Sequence, residues 1–135
     1  MEAIVEVCIV AGSPSDRELV RKVEEIFNKH GIEYETYYAS AHREPEKLKE
    51  IVKKTEAKIF IAVAGLSAAL PGFIASYTEK PVIGLPREVK LLGLDALFAM
   101  VQLPPGVPVG VVGIDNAKNA ALLAMRILKL SKSEK

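Results

Sequence analysis

Ile59-Phe60-Ile61-Ala62-Val63-Ala64, running into Gly65-Leu66-Ser67, is the stretch on which the fold turns. Six apolar residues in a row show no in-out alternation. A strand with one face in water alternates, whereas a strand covered by helices on both faces reads as a continuous apolar run. Working outward, similar strand signals lie at Ala3 to Ala11, Tyr34 to Ala39, Pro81 to Leu85 and Val107 to Ile114. A helix signal follows each strand. Leu19, Val20, Val23, Ile26 and Phe27 repeat at helical period up to about His30, and Gly31 ends that helix. Its start is a capping-box spacing at Ser15 and Glu18, or alternatively Ser13 with Pro14 in the first turn. Pro45 opens the second helix, which turns Leu48, Ile51 and Val52 inward. A short helix is predicted over Phe73 to Tyr77 and another over Leu91 to Val101, where Gly93 is unfavourable. The last runs from Asn116 to Leu130, capped by Asp115 or Asn116, with a frayed tail from Ser131 to Lys135. Its apolar stripe is wider than one sheet face needs, which points to a second subunit. Five strand–helix alternations predict an α/β protein: a three-layer, flavodoxin-like, parallel five-stranded sheet with right-handed crossovers, in one domain over residues 1–135.

The chain has 135 residues, half of them apolar, and a formal net charge of +1. Near-balanced charge points away from nucleic acid and from an acidic membrane surface. No apolar run approaches the roughly 18 to 20 residues of a membrane span. No basic-then-apolar leader opens the chain, so a soluble, cytoplasmic protein is expected. A single cysteine, Cys8, lies within an apolar strand pattern and reads as a small core residue in a reducing compartment. With one Cys, two His and three Asp, no ligand cluster has metal-binding spacing.

In an open α/β sheet, ligands sit at the carboxyl edge of the strands. Gly12-Ser13-Pro14-Ser15-Asp16 follows the first strand and opens a helix, so its hydroxyls and free amides suit an anion such as phosphate. It is neither a Walker loop nor a Gly-x-Gly-x-x-Gly fingerprint, and a plain helix cap would read the same. Asp16 would repel a phosphate and is better suited to accept hydrogen bonds from sugar hydroxyls. After the second strand, Ser40-Ala41-His42-Arg43-Glu44-Pro45 groups a hydroxyl, an imidazole and a guanidinium. His42 suits proton transfer near neutral pH, and Arg43 suits a forked phosphate contact or a surface ion pair with Glu46. His30, at a helix end, reads as structural.

These motifs, with Ala64-Gly65…Leu70-Pro71-Gly72, Pro81-Val82-Ile83-Gly84, Gln102-Leu103-Pro104-Pro105-Gly106-Val107-Pro108-Val109 and Asn119-Ala120-Ala121-Leu122-Leu123-Ala124, resemble in order the PurE family of purine biosynthesis. The resemblance implies formation of 4-carboxy-5-aminoimidazole ribonucleotide, in a homo-oligomer, usually an octamer, with no metal, biotin or nucleotide cofactor. It implies that Ser13 and Arg43 hold the ribose phosphate with Ser40 nearby, that Asp16 holds the ribose hydroxyls, and that His42 transfers the proton. The Ala64-Gly65-Leu66 backbone would lie beside the base, and Gly12, Ser15, Ala41, Ser67 and Leu70 complete the implied substrate-binding set.

The family has two branches. A mutase moves the carboxylate from the exocyclic amine to a ring carbon; a carboxylase adds carbon dioxide to aminoimidazole ribonucleotide directly. The mutase branch typically carries histidine where this chain has Ala69, and Ser67 with Ala69 resembles the carboxylase branch. Arg43 and Pro71 resemble the mutase. Direct carboxylation is the expectation, mutase activity the alternative, and a non-catalytic nucleotide-binding module a remote one.

Overall fold

A computed structural model describes residues 4–66 and 68–132. Five parallel strands, β1 (Val7–Ala11), β2 (Tyr34–Tyr38), β3 (Ile59–Ala64), β4 (Val82–Pro86) and β5 (Gly110–Val111), form one sheet in the order β2-β1-β3-β4-β5. The helices are α1 (Arg17–His30), α2 (Pro45–Lys54), α3 (Leu70–Ala75), α4 (Leu94–Val101) and α5 (Ala117–Lys132). This is the flavodoxin-like order, and the connections diverge between β1 and β3.

Strand pleating sends alternate residues to opposite layers. Val7, Ile9, Ala11, Ile59, Ile61, Val63, Ile83 and Leu85 pack under α1 and α5. Cys8, Val10, Phe60, Ala62, Ala64 and Val82 pack under α2, α3 and α4. Every residue of β1, β3 and β4 is buried, as non-alternating apolar runs require. Burial, and then the charge of Glu35, push the Cys8 thiol up to about 12.

Several boundaries differ from those predicted. The first strand begins at Val7, and residues 1–3 lie outside those described. The third helix begins at Leu70 rather than Phe73, because Pro71 is tolerated in a first turn, and it ends at Ala75. The fifth strand pairs only as Ile83 with Gly110 and Gly84 with Val111, since Pro108 has no N–H for a ladder. α5 continues to Lys132 instead of fraying at Ser131; the Ser131 hydroxyl donates to the Leu128 carbonyl, and Lys132 pairs with Glu6 at 3.0 Å. Residues 133–135 lie outside those described. The predicted helix over Leu91 to Val101 divides into a tight turn, Leu91–Gly93, and α4. Gly93 sits at φ +83°, and a Cβ there would lie 2.6 Å from Ile114 Cγ2.

Candidate active site

The carboxyl ends of β1 to β4 deliver four turns to one cavity of about 570 Å³. After β1, Ser13 rather than Ser15 caps the turn. Its hydroxyl accepts from the Ser15 N–H at 3.2 Å, and the Asp16 carboxylate accepts from the Ser13 N–H at 3.1 Å. Asp16 is thereby drawn into the wall and is 1% exposed. The Ser13 and Ser15 hydroxyls lie 2.9 Å apart at the rim.

After β2, the Ser40 hydroxyl accepts from the backbone N–H groups of His42 (3.2 Å) and Arg43 (3.1 Å). This local turn holds the loop that presents both side chains. Both are exposed, and Arg43 has no side-chain partner among the described residues. Glu46, the ion-pair partner considered for Arg43, pairs instead with Lys49 at 3.4 Å. After β3, Ala64, Gly65, Leu66 and Leu70 form the apolar wall. A Cβ on Gly65 would meet Val89 Cγ2 at 2.5 Å and the Arg87 carbonyl at 3.1 Å, so a side chain there would push Val89 aside and crowd the segment after β4.

Gly12, Ser13, Ser15, Asp16, Ser40, Ala41, His42, Arg43, Ala64, Gly65, Leu66 and Leu70 all line this cavity. Ser67 lies outside the described residues. Ala69, which stands where a histidine was expected for the mutase branch, is exposed and is not part of the lining. Pro14 and Glu44, which belong to the two loops singled out in the sequence, also line it, as do Arg87 and Val89, which no sequence motif marks. Arg87 is the consequential one: its Nε donates to Asp16 Oδ1 and its Nη2 to Ser15 Oγ at 3.2 Å. The available signal was an arginine directly after a buried strand, at the ligand-binding edge.

Burial pushes the Asp16 carboxyl above its ordinary range, opposed by the Arg87 hydrogen bond and charge and by the Ser13 and Gly12 N–H groups. Among the described residues, no three His, Cys, Asp or Glu side chains converge as a metal site. A second hollow of about 480 Å³ between β2 and α2 is lined by Glu35, Tyr37 and Ile51 and receives none of the four turns.

The AIR carboxylase family profile matches residues 6–135. The chain belongs to the AIR carboxylase family. It is 54% identical, over 124 residues, to the N5-carboxyaminoimidazole ribonucleotide mutase of Methanocaldococcus jannaschii, covering 92% of this chain and 79% of that protein. It is 49% identical to the mutase of Pyrococcus horikoshii, covering 93% of this chain and 73% of that one. Some relatives are longer: the chain spans 39% of the probable mutase of Methanobrevibacter smithii, at 50% identity and 96% of its own length. The crystal structure of Treponema denticola PurE superposes with a TM-score of 0.84 at 32% identity, covering 92% of this chain and 80% of that one. As an AIR carboxylase family member the chain is an enzyme of the PurE type, and its cavity lies at the sheet edge where α/β proteins bind ligands.

Proposed function

We propose that the chain is an N5-carboxyaminoimidazole ribonucleotide mutase, in place of the direct carboxylase expected from Ser67 and Ala69. The observation that carries this reading is the convergence of Ser13, Asp16, His42 and Arg43 around one chamber with an apolar floor. It is joined to the mutase names of relatives 45–54% identical. Ala69 argues little against it, because that position does not face the chamber.

In this reading Arg43 and the Ser13 turn hold the phosphate, with the Ser40 hydroxyl hydrogen nearby, and Asp16 accepts from the ribose hydroxyls. The base lies on the Ala64-Gly65-Leu66 wall. The bond from the exocyclic nitrogen to the carboxyl carbon breaks, releasing carbon dioxide into the chamber, and the nitrogen takes a proton. The ring carbon, nucleophilic as an enamine, then bonds to the carbon dioxide and loses its proton. The carboxylate moves one way and one proton the other, so a single carrier suffices, and His42 is that carrier. Apolar walls keep carbon dioxide beside the ring, so much of the rate comes from proximity.

The partners of the reading are the ribonucleotide, carbon dioxide and further copies of the chain, in the octamer the family resemblance implies. Leu91, Leu92, Leu94, Phe98 and Val101 are all exposed on the turn after β4 and on α4. Leu91 and Leu92 sit at φ +51° and +60°, a conformation costly for leucine. Exposed, strained apolar residues in one continuous segment support burial against another subunit.

The test is to supply N5-carboxyaminoimidazole ribonucleotide at low bicarbonate and, separately, aminoimidazole ribonucleotide with bicarbonate. The mutase forms the ring-carboxylated product from the first substrate without added bicarbonate. Product only from the second, at a rate that climbs with bicarbonate, would establish direct carboxylation instead. Product from neither removes the enzymatic reading.

A further inference from the structure

Arg87 reaches the site from a segment that none of the quoted motifs contains. Its backbone is anchored on both sides: its N–H donates to the Ala64 carbonyl at 3.0 Å, and the Pro86 carbonyl accepts from the Asp115 N–H at 2.8 Å. The next N–H, of Glu88, donates to Asp115 Oδ1 at 2.9 Å. The turn before α5 thus clamps the end of β4. From that clamp the guanidinium spans to Asp16, 71 residues away in sequence, and to Ser15. Asp16 is held from two directions, by Arg87 on Oδ1 and by the Ser13 N–H on Oδ2. A carboxylate has about four acceptor positions, so capacity remains for a ligand hydroxyl.

We propose that Arg87 is the positioning residue that fixes the Asp16 carboxylate as the acceptor for the ribose hydroxyls. The proposal rests on the hydroxyl-binding role given to Asp16 above. Arg87 does not touch the reacting atoms. It orients Asp16 and opposes the protonation that burial favours, since a protonated carboxyl turns one acceptor oxygen into a donor. The other groups facing Asp16 are few. Tyr38 of β2 interacts electrostatically with Asp16, and Arg17 of α1 interacts with Tyr38. His42, Arg43 and Glu44 share the cavity, and the described residues of the β3–α3 turn carry no charge. Arg87 is the charged side chain bonded to Asp16 directly.

The test compares wild type, Arg87→Met and Arg87→Lys in the mutase assay across about pH 5.5 to 8.5, with ribose 5-phosphate and 2-deoxyribose 5-phosphate as competitive inhibitors. Wild type should prefer the ribose sugar by about tenfold or more, because a site built around a hydroxyl penalises its loss. Arg87→Met should lose most of that preference and raise KM by about tenfold, with kcat changed less than about threefold. The KM gap should widen as pH falls, because without the Arg87 charge burial favours the protonated Asp16 carboxyl further. Arg87→Lys should recover the pH behaviour, which needs charge, but not the full sugar preference, which needs the fork. Should Arg87→Met fail to fold, the sugar preference of Arg87→Lys decides. A wild-type preference retained in the variants overturns the Arg87 proposal alone. A wild type indifferent to the hydroxyl overturns the Asp16 reading and this proposal with it.

Discussion

His42 is held by its backbone, through the Ser40 hydroxyl, while its ring stands exposed at the cavity. Replacing it with asparagine leaves that backbone turn and the groups proposed to hold the phosphate in place. His42→Asn should therefore bind the ribonucleotide within a few-fold of wild type while turnover falls about 10²–10⁴-fold. Calorimetric titration beside the turnover assay checks both halves, and near-normal turnover would remove the proton-transfer role. Asp16 supplies a pH prediction. Its native pKa is raised, chiefly by burial, so the folded state keeps the proton above the ordinary value of 3.8. By linkage, Asp16 favours folding most below that value, and its contribution is lost as pH rises through the native pKa. Relative to Asp16→Asn, wild type should therefore lose thermal stability as pH climbs from 3.8. Melting curves of the two proteins over acidic to neutral pH give the sign; a gap moving the other way would mean that the Arg87 charge outweighs burial.

At the scale of elements, the turn between β4 and α4 stands out. Gly93 combines a positive φ with a close approach to Ile114, so alanine there is both strained and overpacked. Gly93→Ala should cost about 1–2 kcal/mol from the backbone term alone, and more from the clash, as read by urea denaturation. A cost near zero would mean that Ile114 and the turn yield freely. Helix starts show how far local pattern goes. Pro45 and the Gly31 stop stand where period and capping place them. At the first helix two serine caps were equally open on spacing. Ser13 caps the tight turn Pro14–Asp16 that leads into α1, because the Asp16 carboxylate turns inward to accept from the Ser13 N–H; Asp16 itself stands at the N-cap of α1. α3 begins three residues before Phe73 because Pro71 and Gly72, the two weakest helix formers, mask the signal of its first turn in the sequence.

For the whole molecule, the exposed apolar segment of Leu91 to Val101 is the feature that a lone subunit explains least. Phe98 is 55% exposed at the centre of that segment. By sedimentation velocity, wild type should run as an assembly of the octameric class, and Phe98→Glu as smaller species, because a carboxylate resists burial in an apolar contact. A wild-type chain sedimenting as a monomer would remove the self-association reading.

The pattern of residues by itself determined the layered α/β architecture. Unbroken apolar strands between amphipathic helices can be buried only in a parallel sheet covered on both faces. The same local reasoning identified the loops bearing Ser13, Asp16, His42 and Arg43, since the carboxyl edge follows from strand direction. Tertiary structure alone decided that Arg87 meets Asp16, that the fifth strand shrinks to Gly110–Val111, and that Ala69 lies off the chamber. Sequence period encodes which face a residue turns to its own neighbours. Which side chains meet across 71 positions depends on how the crossovers set β4 beside β3 and β3 beside β1, a geometry that no single segment carries.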